Sequence, residues 1–253
     1  MALPQPNQIC IQYISDIHIH IAKEITTNYF QVIGKILILA GDICNPFFSA
    51  FKQFIRWCSN SFELVLYVAG NAECHQPMQT IHSTFCEIQH ICKQFQNVHF
   101  LNNSIFEYGD YRFIGTTLWT HLDIPVSFIN ADPICIGNFS YTQYNEMHET
   151  ARHFICNALI TTNKKCIVIT HHTPLPELIS QKEKYSRLLQ WNCSNQTELL
   201  SLKCAKKIIA WIHGNSTPHQ QNKVVNGIHF VCNSVGMNVN IQPTHLKTFK
   251  LII

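Results

Sequence analysis

At 253 residues the chain sits at the upper end of what one hydrophobic core serves. Charged residues make up 13%, against roughly 25% in ordinary soluble domains, and the formal charge is only +3. The basic pairs are short, Lys164-Lys165 and Lys206-Lys207, so no dedicated nucleic-acid or anionic-membrane surface is indicated.

The first residues, Met1-Ala2-Leu3-Pro4-Gln5-Pro6, lack the basic start and apolar core of a secretory signal. No apolar run reaches the roughly 18 residues needed to span a bilayer. The twelve cysteines are scattered without a C-x-x-C pair. Several, such as Cys10, Cys166 and Cys232, fall inside apolar runs, where a free thiol behaves as a small hydrophobe. A reduced, cytoplasmic protein is expected.

Apolar runs of strand length begin at 9–14 and 36–40. The spacing of Phe47, Phe51, Phe54, Ile55 and Cys58 then predicts a helix over 47–58, followed by a third strand over 64–69. A helix over 78–95 precedes a hairpin, 105–108 and 112–115, turning at Tyr108-Gly109-Asp110-Tyr111. After an irregular excursion over 120–141 come a helix over 144–160 and a strand over 166–170. A second excursion over 174–195 leads to strands at 208–212 and 228–232. Continuous apolar strands imply sheets covered on both faces, and their alternation with helices argues for an α/β sandwich. No repeat or linker divides the chain, so one domain over 1–253 is expected.

Side chains suited to metal ligation stand where several of these strands end. Asp16 and His18 follow the first and share a direction by their alternate positions. Asp42 follows the second, Asn71 the third, His171 the strand at 166–170, and His213 the strand at 208–212. In open α/β sheets ligands bind beyond the carboxyl ends of strands. Gly41 and Gly70 precede two of these ligands and permit turns that other residues would strain to make. Taken singly, an Asp after a strand is more often a cap, and a buried His a structural hydrogen-bonder. All five in order weigh against that blander account.

Asp16-Ile17-His18, Gly41-Asp42, Gly70-Asn71-Ala72-Glu73, Thr170-His171-His172-Thr173-Pro174 and Trp211-Ile212-His213-Gly214 resemble the calcineurin-like metallophosphoesterases, closest to compact bacterial-type members. The likeness extends through Asn97-Val98-His99-Phe100-Leu101, Phe113-Ile114-Gly115-Thr116-Thr117-Leu118-Trp119 and Val231-Cys232-Asn233, nearly the whole chain. It implies a four-layer α-β-β-α sandwich with up to two divalent ions at one edge of the sheets. By that resemblance Asp16, His18 and Asp42 hold one ion, and Asp42, Asn71 and His171 the other, with Asp42 shared. The ions, Mn, Fe or Zn rather than Ca for such ligands, would activate water against a phosphate ester or anhydride.

The chain departs from the family pattern in two blocks. Ala72 stands where the family places a general-acid His, and Gly214-Asn215-Ser216-Thr217 replaces Gly-His-x-His. Asn215 and Thr217 are candidate oxygen ligands, and His75, three residues after Ala72, is a candidate replacement acid. His213 is expected to anchor its loop, with contact to substrate phosphate as the other reading. His172 is expected to support the centre rather than ligate, and His20 and His121 to rim the pocket at most. For Glu73 two roles stay open, orienting a ligand or capping the next helix. The function expected is a metal-dependent phosphoesterase with a partly eroded dinuclear site. The alternative is a catalytically silent member of the fold that binds a phosphate-containing ligand or a protein.

Overall fold

Every residue of Ile36–Ala40 and Leu64–Val68 is buried, which only a strand covered on both faces can satisfy. The computed structural model describes residues 10–19, 29–123, 132–179, 189–215, 219–236 and 249–252. These build two sheets. The first contains β1 (Cys10–Ile14), β2 (Ile36–Ala40), β3 (Leu64–Val68), β4 (Val98–Phe100) and β11 (Phe249–Ile252), in the order β11-β1-β2-β3-β4. Strands β1 to β4 are parallel, and β11 closes one edge antiparallel to β1.

The second sheet contains β5 (Ser104–Tyr108), β6 (Tyr111–Thr116), β7 (Lys165–Thr170), β8 (Ile208–His213), β9 (His219–Val225) and β10 (Ile228–Ser234), in the order β5-β6-β7-β8-β10-β9. Its centre is parallel, and the β5–β6 and β9–β10 hairpins give it antiparallel edges. Helices α1 (Ser49–Ser61), α2 (Ile81–Cys92), α3 (Asp132–Cys135) and α4 (Tyr141–Ile160) lie between strands in the chain.

Side-chain alternation along the strands divides the core. Ile36, Ile38, Leu64, Leu66 and Val68 of the first sheet meet Phe113, Ile167, Ile169, Ala210 and Ile212 of the second. The intervening residues Leu37, Leu39, Val65 and Tyr67 pack on Phe51, Phe54, Ile55 and Cys58 of α1 and Ile88 and Ile91 of α2. On the second sheet, Ile114, Val168 and Trp211 pack on Ala151, Ile155 and Leu159 of α4. The sheets are stitched where β1 and β10 end. Ser15 N donates to Asn233 O at 3.1 Å, and the Asn233 amide donates to Tyr13 O at 3.1 Å.

The expected elements recur with shifted bounds. Helix α2 starts at Ile81 because Thr80 and Ser83 cap it reciprocally, Ser83 N to Thr80 Oγ1 at 3.1 Å and Thr80 N to Ser83 Oγ at 2.9 Å. Phe47, expected on the buried face of a helix, lies before α1 and is 42% exposed. Residue 9 of the first expected strand, and residues 124–131 and 180–188 of the two excursions, lie outside the described residues. All twelve cysteines are free thiols. Among the described residues no helix is long and apolar enough to cross a membrane.

Candidate metal centre

Beyond β1 and β2 the chain keeps pairing after the strands have ended. Asp16 N donates to Gly41 O at 2.9 Å, His18 N to Asp42 O at 3.1 Å and Ile19 N to Ile43 O at 2.9 Å. To do so, Asp16 (φ 54°), His18 (φ 42°) and Asp42 (φ 56°) all take left-handed backbone. Such conformations cost energy for residues with a Cβ and persist where the surroundings over-determine them. The expected freedom of glycine is needed at Gly41, with φ 87°. Gly70 is constrained differently: its φ is ordinary, but a Cβ there would collide with Asp42 Oδ1 and lie 2.7 Å from His171 Cε1.

The five expected ligands converge. Atoms of Asp16, Asp42 and His171 lie within 4.8 Å of one another. His18 Nε2 is 3.8 Å from Asp42 Oδ2, and His171 Nε2 is 3.4 Å from Asp42 Oδ1. Asn71 Oδ1 is 3.0 Å from His171 Nε2. The hydrogen-bond network fixes which atoms face inward. His171 Nδ1 lies 2.9 Å from the Ala40 carbonyl, which can only accept, so in neutral imidazole the lone pair is on Nε2. Asn71 Nδ2 donates to Asp132 at 2.8 Å, so Asn71 points its oxygen at His171. Asp42 Oδ1, Asn71 Oδ1 and His171 Nε2 thus present lone pairs to one another.

The carboxylates are under electrostatic stress. Burial pushes Asp16 up to about 7, with repulsion from Asp42 adding to the shift. Asp16 Oδ2 is buried with no hydrogen-bond partner. Asp42 is likewise raised well above the carboxylate range, by burial first and by the charge of Glu73 second. Two raised carboxylates, an orphaned oxygen and converging lone pairs match what a divalent cation would satisfy, so the residues fit the implied group.

Two residues carry more than the sequence disclosed. Glu73, fully buried, accepts from Asp42 N at 3.0 Å, Ile43 N at 2.6 Å, Gly70 N at 2.8 Å and Tyr67 OH at 2.8 Å. It therefore orients the ligand loops; α2 is capped by Thr80 instead. Asp132, unnoticed in sequence, is fully buried and joins Asn71 Nδ2, His75 Nε2 at 2.7 Å and Tyr144 OH at 3.2 Å. Burial alone would raise its carboxyl, but the His75 bond and charge outweigh this and hold it low. Burial opposes charge on His75, yet the pairing with Asp132 raises its pKa. An aspartate in an aperiodic stretch before Pro133 reads as a cap, and only the fold carries it to Asn71.

The remaining positions separate. Ala72 has no side chain to offer, but its N–H donates to Asp42 Oδ1 at 2.8 Å. His213 is 1% exposed, with Nδ1 beside Gly214 O at 3.2 Å and Thr173 Oγ1 at 3.5 Å. Asn215, in left-handed backbone (φ 48°), directs its amide nitrogen to Trp191 O at 3.5 Å. Thr217 and His20 lie outside the described residues. His172 is buried beside Trp119 with Nδ1 3.3 Å from Thr117 O, and burial lowers its pKa to about 3.

No family model matches the chain. An uncharacterized protein of Acanthamoeba polyphaga mimivirus is 28% identical over 218 residues, 79% of this chain and 78% of that protein. The crystal structure of phosphopantetheinyl hydrolase from Mycobacterium tuberculosis superposes with a TM-score of 0.60 at 14% identity, covering 89% of each chain. A second crystal structure gives a TM-score of 0.58 at 10% identity over 89% of this chain and 90% of that one. The chain shares the fold of these two structures.

In chelator the Asp16 shift sets a pH dependence. A carboxyl raised from 3.8 to about 7 holds a proton in the folded state that the unfolded chain has released. Its stabilising effect is complete below about pH 4 and disappears as pH rises through about 7. Relative to Asp16→Asn, the wild type should lose on the order of 4 kcal/mol between about pH 4 and pH 8 in urea unfolding with chelator. Parallel pH profiles for the two proteins would contradict this. Glu73→Gln turns an amide toward backbone N–H groups and should cost about 2–4 kcal/mol; Tyr67→Phe, losing one bond, should cost about 1 kcal/mol by the same measurement.

Proposed function

We propose that the chain is a calcineurin-like metallophosphoesterase, one four-layer α-β-β-α domain over 1–253, that hydrolyses a phosphate ester or anhydride. The observation that carries this reading is the inward convergence of Asp42 Oδ1, Asn71 Oδ1 and His171 Nε2, each aimed by a partner on its outer side. Asp16, His18 and Asp42 would hold one divalent ion, and Asp42, Asn71 and His171 a second, with Mn, Fe or Zn suited to the donor set. Bound there, such ions acidify water and offset charge on phosphoryl oxygens. Twelve free thiols fit a reducing, cytoplasmic setting.

The chain's own residues supply the rest of the chemistry. Ala40 O fixes the tautomer and orientation of His171, and Asp132 fixes the amide of Asn71. The same Asp132 oxygen binds His75 Nε2, so His75 stands two hydrogen bonds from Asn71 with its side chain 24% exposed. His75 takes over the proton donation that Ala72 cannot make: Asp132 stabilises the imidazolium, and Nδ1 is the nitrogen left to serve a departing oxygen. The alternative, a silent phosphate-ligand or protein-binding module, rests on Ala72 and on the exchange of the last-block histidines for Asn215 and Thr217.

Hydrolysis of aryl phosphates of graded leaving-group pKa, with Mn²⁺ and with chelator, tests both points. Activity should require metal and depend weakly on leaving-group pKa. In His75→Asn that dependence should steepen, with a loss of about 10²–10⁴ for poor leaving groups and little for good ones. Equal slopes would remove His75 from the chemistry. Metal bound without hydrolysis of any substrate would favour the binding module.

A further inference from the structure

Away from the centre, a second set of nitrogen and oxygen donors lines a cavity of about 490 Å³. His121 and Asp123 come from the loop after β6, and His148 and Glu149 from the middle of α4. Donor atoms of His121, His148 and Glu149 lie within 4.8 Å of one another, close enough to share one ion.

His148 is prepared for such a role. Its Nδ1 lies 2.6 Å from the Trp119 carbonyl, which places the hydrogen on Nδ1. Nε2, 3.8 Å from Glu149 Oε1, is left with its lone pair. An imidazole tethered to a backbone carbonyl through one nitrogen and free at the other is the arrangement that metal-binding histidines adopt. Burial keeps the ring neutral by lowering its pKa. The His121 ring stands edge-on to it at 5.6 Å between centroids, and Asp123 Oδ1 is 3.6 Å from His121 Nε2.

The charges of the cavity select the sign of its ligand. Among the described residues the lining carries Asp123, Glu149 and Glu198 and one guanidinium, Arg152, which lies 3.3 Å from Glu149 and 3.2 Å from Glu198. Among these described side chains carboxylates outnumber the guanidinium, which favours a cation over a phosphate.

We propose that His121, His148 and Glu149, with Asp123 as a further oxygen donor, bind one divalent transition ion of the zinc or cobalt type, separate from the centre at Asp42. The ion ties the Trp119–Asp123 loop to α4. That loop carries Trp119, whose ring packs on His172 at 5.6 Å and on Tyr144 at 5.1 Å, so the site braces the wall behind the centre. The inference does not depend on the proposed hydrolysis.

Cobalt(II) titration of the full chain, followed by visible absorption, tests it in an Asp42→Asn background that disables the centre. Cobalt should still bind there, and adding His121→Ala or Glu149→Gln should remove one bound equivalent. Both side chains are partly exposed, and unchanged circular dichroism would show that the fold survives. No cobalt bound to Asp42→Asn, or a stoichiometry that neither change lowers, overturns the site. The centre itself is read separately, from the equivalents that Asp42→Asn removes from the wild type.

Discussion

The buried carboxylate of Glu73 is the constraint on which the candidate centre rests. The loop after β2 carries Asp42 and the loop after β3 carries Asn71, and the two meet at Glu73. One oxygen accepts from Asp42 N and Gly70 N, the other from Ile43 N and Tyr67 OH. Hydrogen bonds to a charged group contribute about 1.5–3 kcal/mol each. Without them three backbone N–H groups would be stranded in the interior, and left-handed backbone at Asp42 would lose part of its compensation. The negative charge also has an electrostatic consequence, since it helps raise the Asp42 carboxyl. The clasp that shapes the site thus increases its demand for positive charge.

The polar groups around this clasp follow one rule: donors point outward and acceptors inward. Asn71 directs its amide hydrogens to Asp132, His171 its Nδ1 hydrogen to Ala40 O, and Asp42 its N–H to Glu73. What remains at the middle is oxygen and nitrogen lone pairs. A site meant to be filled by water or a neutral ligand would mix donors and acceptors, because both need both. A one-sided set is costly when empty and is matched by a cation. Asp132 extends the rule one step further, because its carboxylate orients Asn71 and raises the pKa of His75 at once.

Much of this was legible in the chain and some of it was not, for physical reasons. The strands that matter are buried on both faces, so continuous apolar runs such as Ile36–Ala40 announced them, and polar residues just past their ends stood out. The edge strands β4 and β9 escaped notice because β9 reads His-Gln-Gln-Asn-Lys and β4 is three residues long. The positive φ of Asp16, His18 and Asp42 is imposed by pairing between two loops, a long-range cause that local propensity cannot carry. Asp132 was invisible for a similar reason: 61 residues separate it from Asn71, and nothing periodic surrounds it. Glu73 was noticed but its role stayed open, since a buried chelate of backbone N–H groups and a helix cap look alike in sequence.

Position 72 shows how backbone and side-chain contributions separate. The N–H of residue 72 donates to Asp42 Oδ1, and any residue except proline can supply it. Alanine at this position therefore leaves the Asp42 carboxylate oriented and the lone pairs convergent. Asn215 follows the same logic. It holds left-handed backbone at φ 48°, which asparagine tolerates better than most side chains, while its amide turns to Trp191 O. The features that gather charge at the candidate centre are thus built from backbone and buried acids. Proton donation, unlike cation binding, leaves a wide choice of positions around a leaving group, and His75, three residues further along the chain, is already paired with the Asp132 carboxylate.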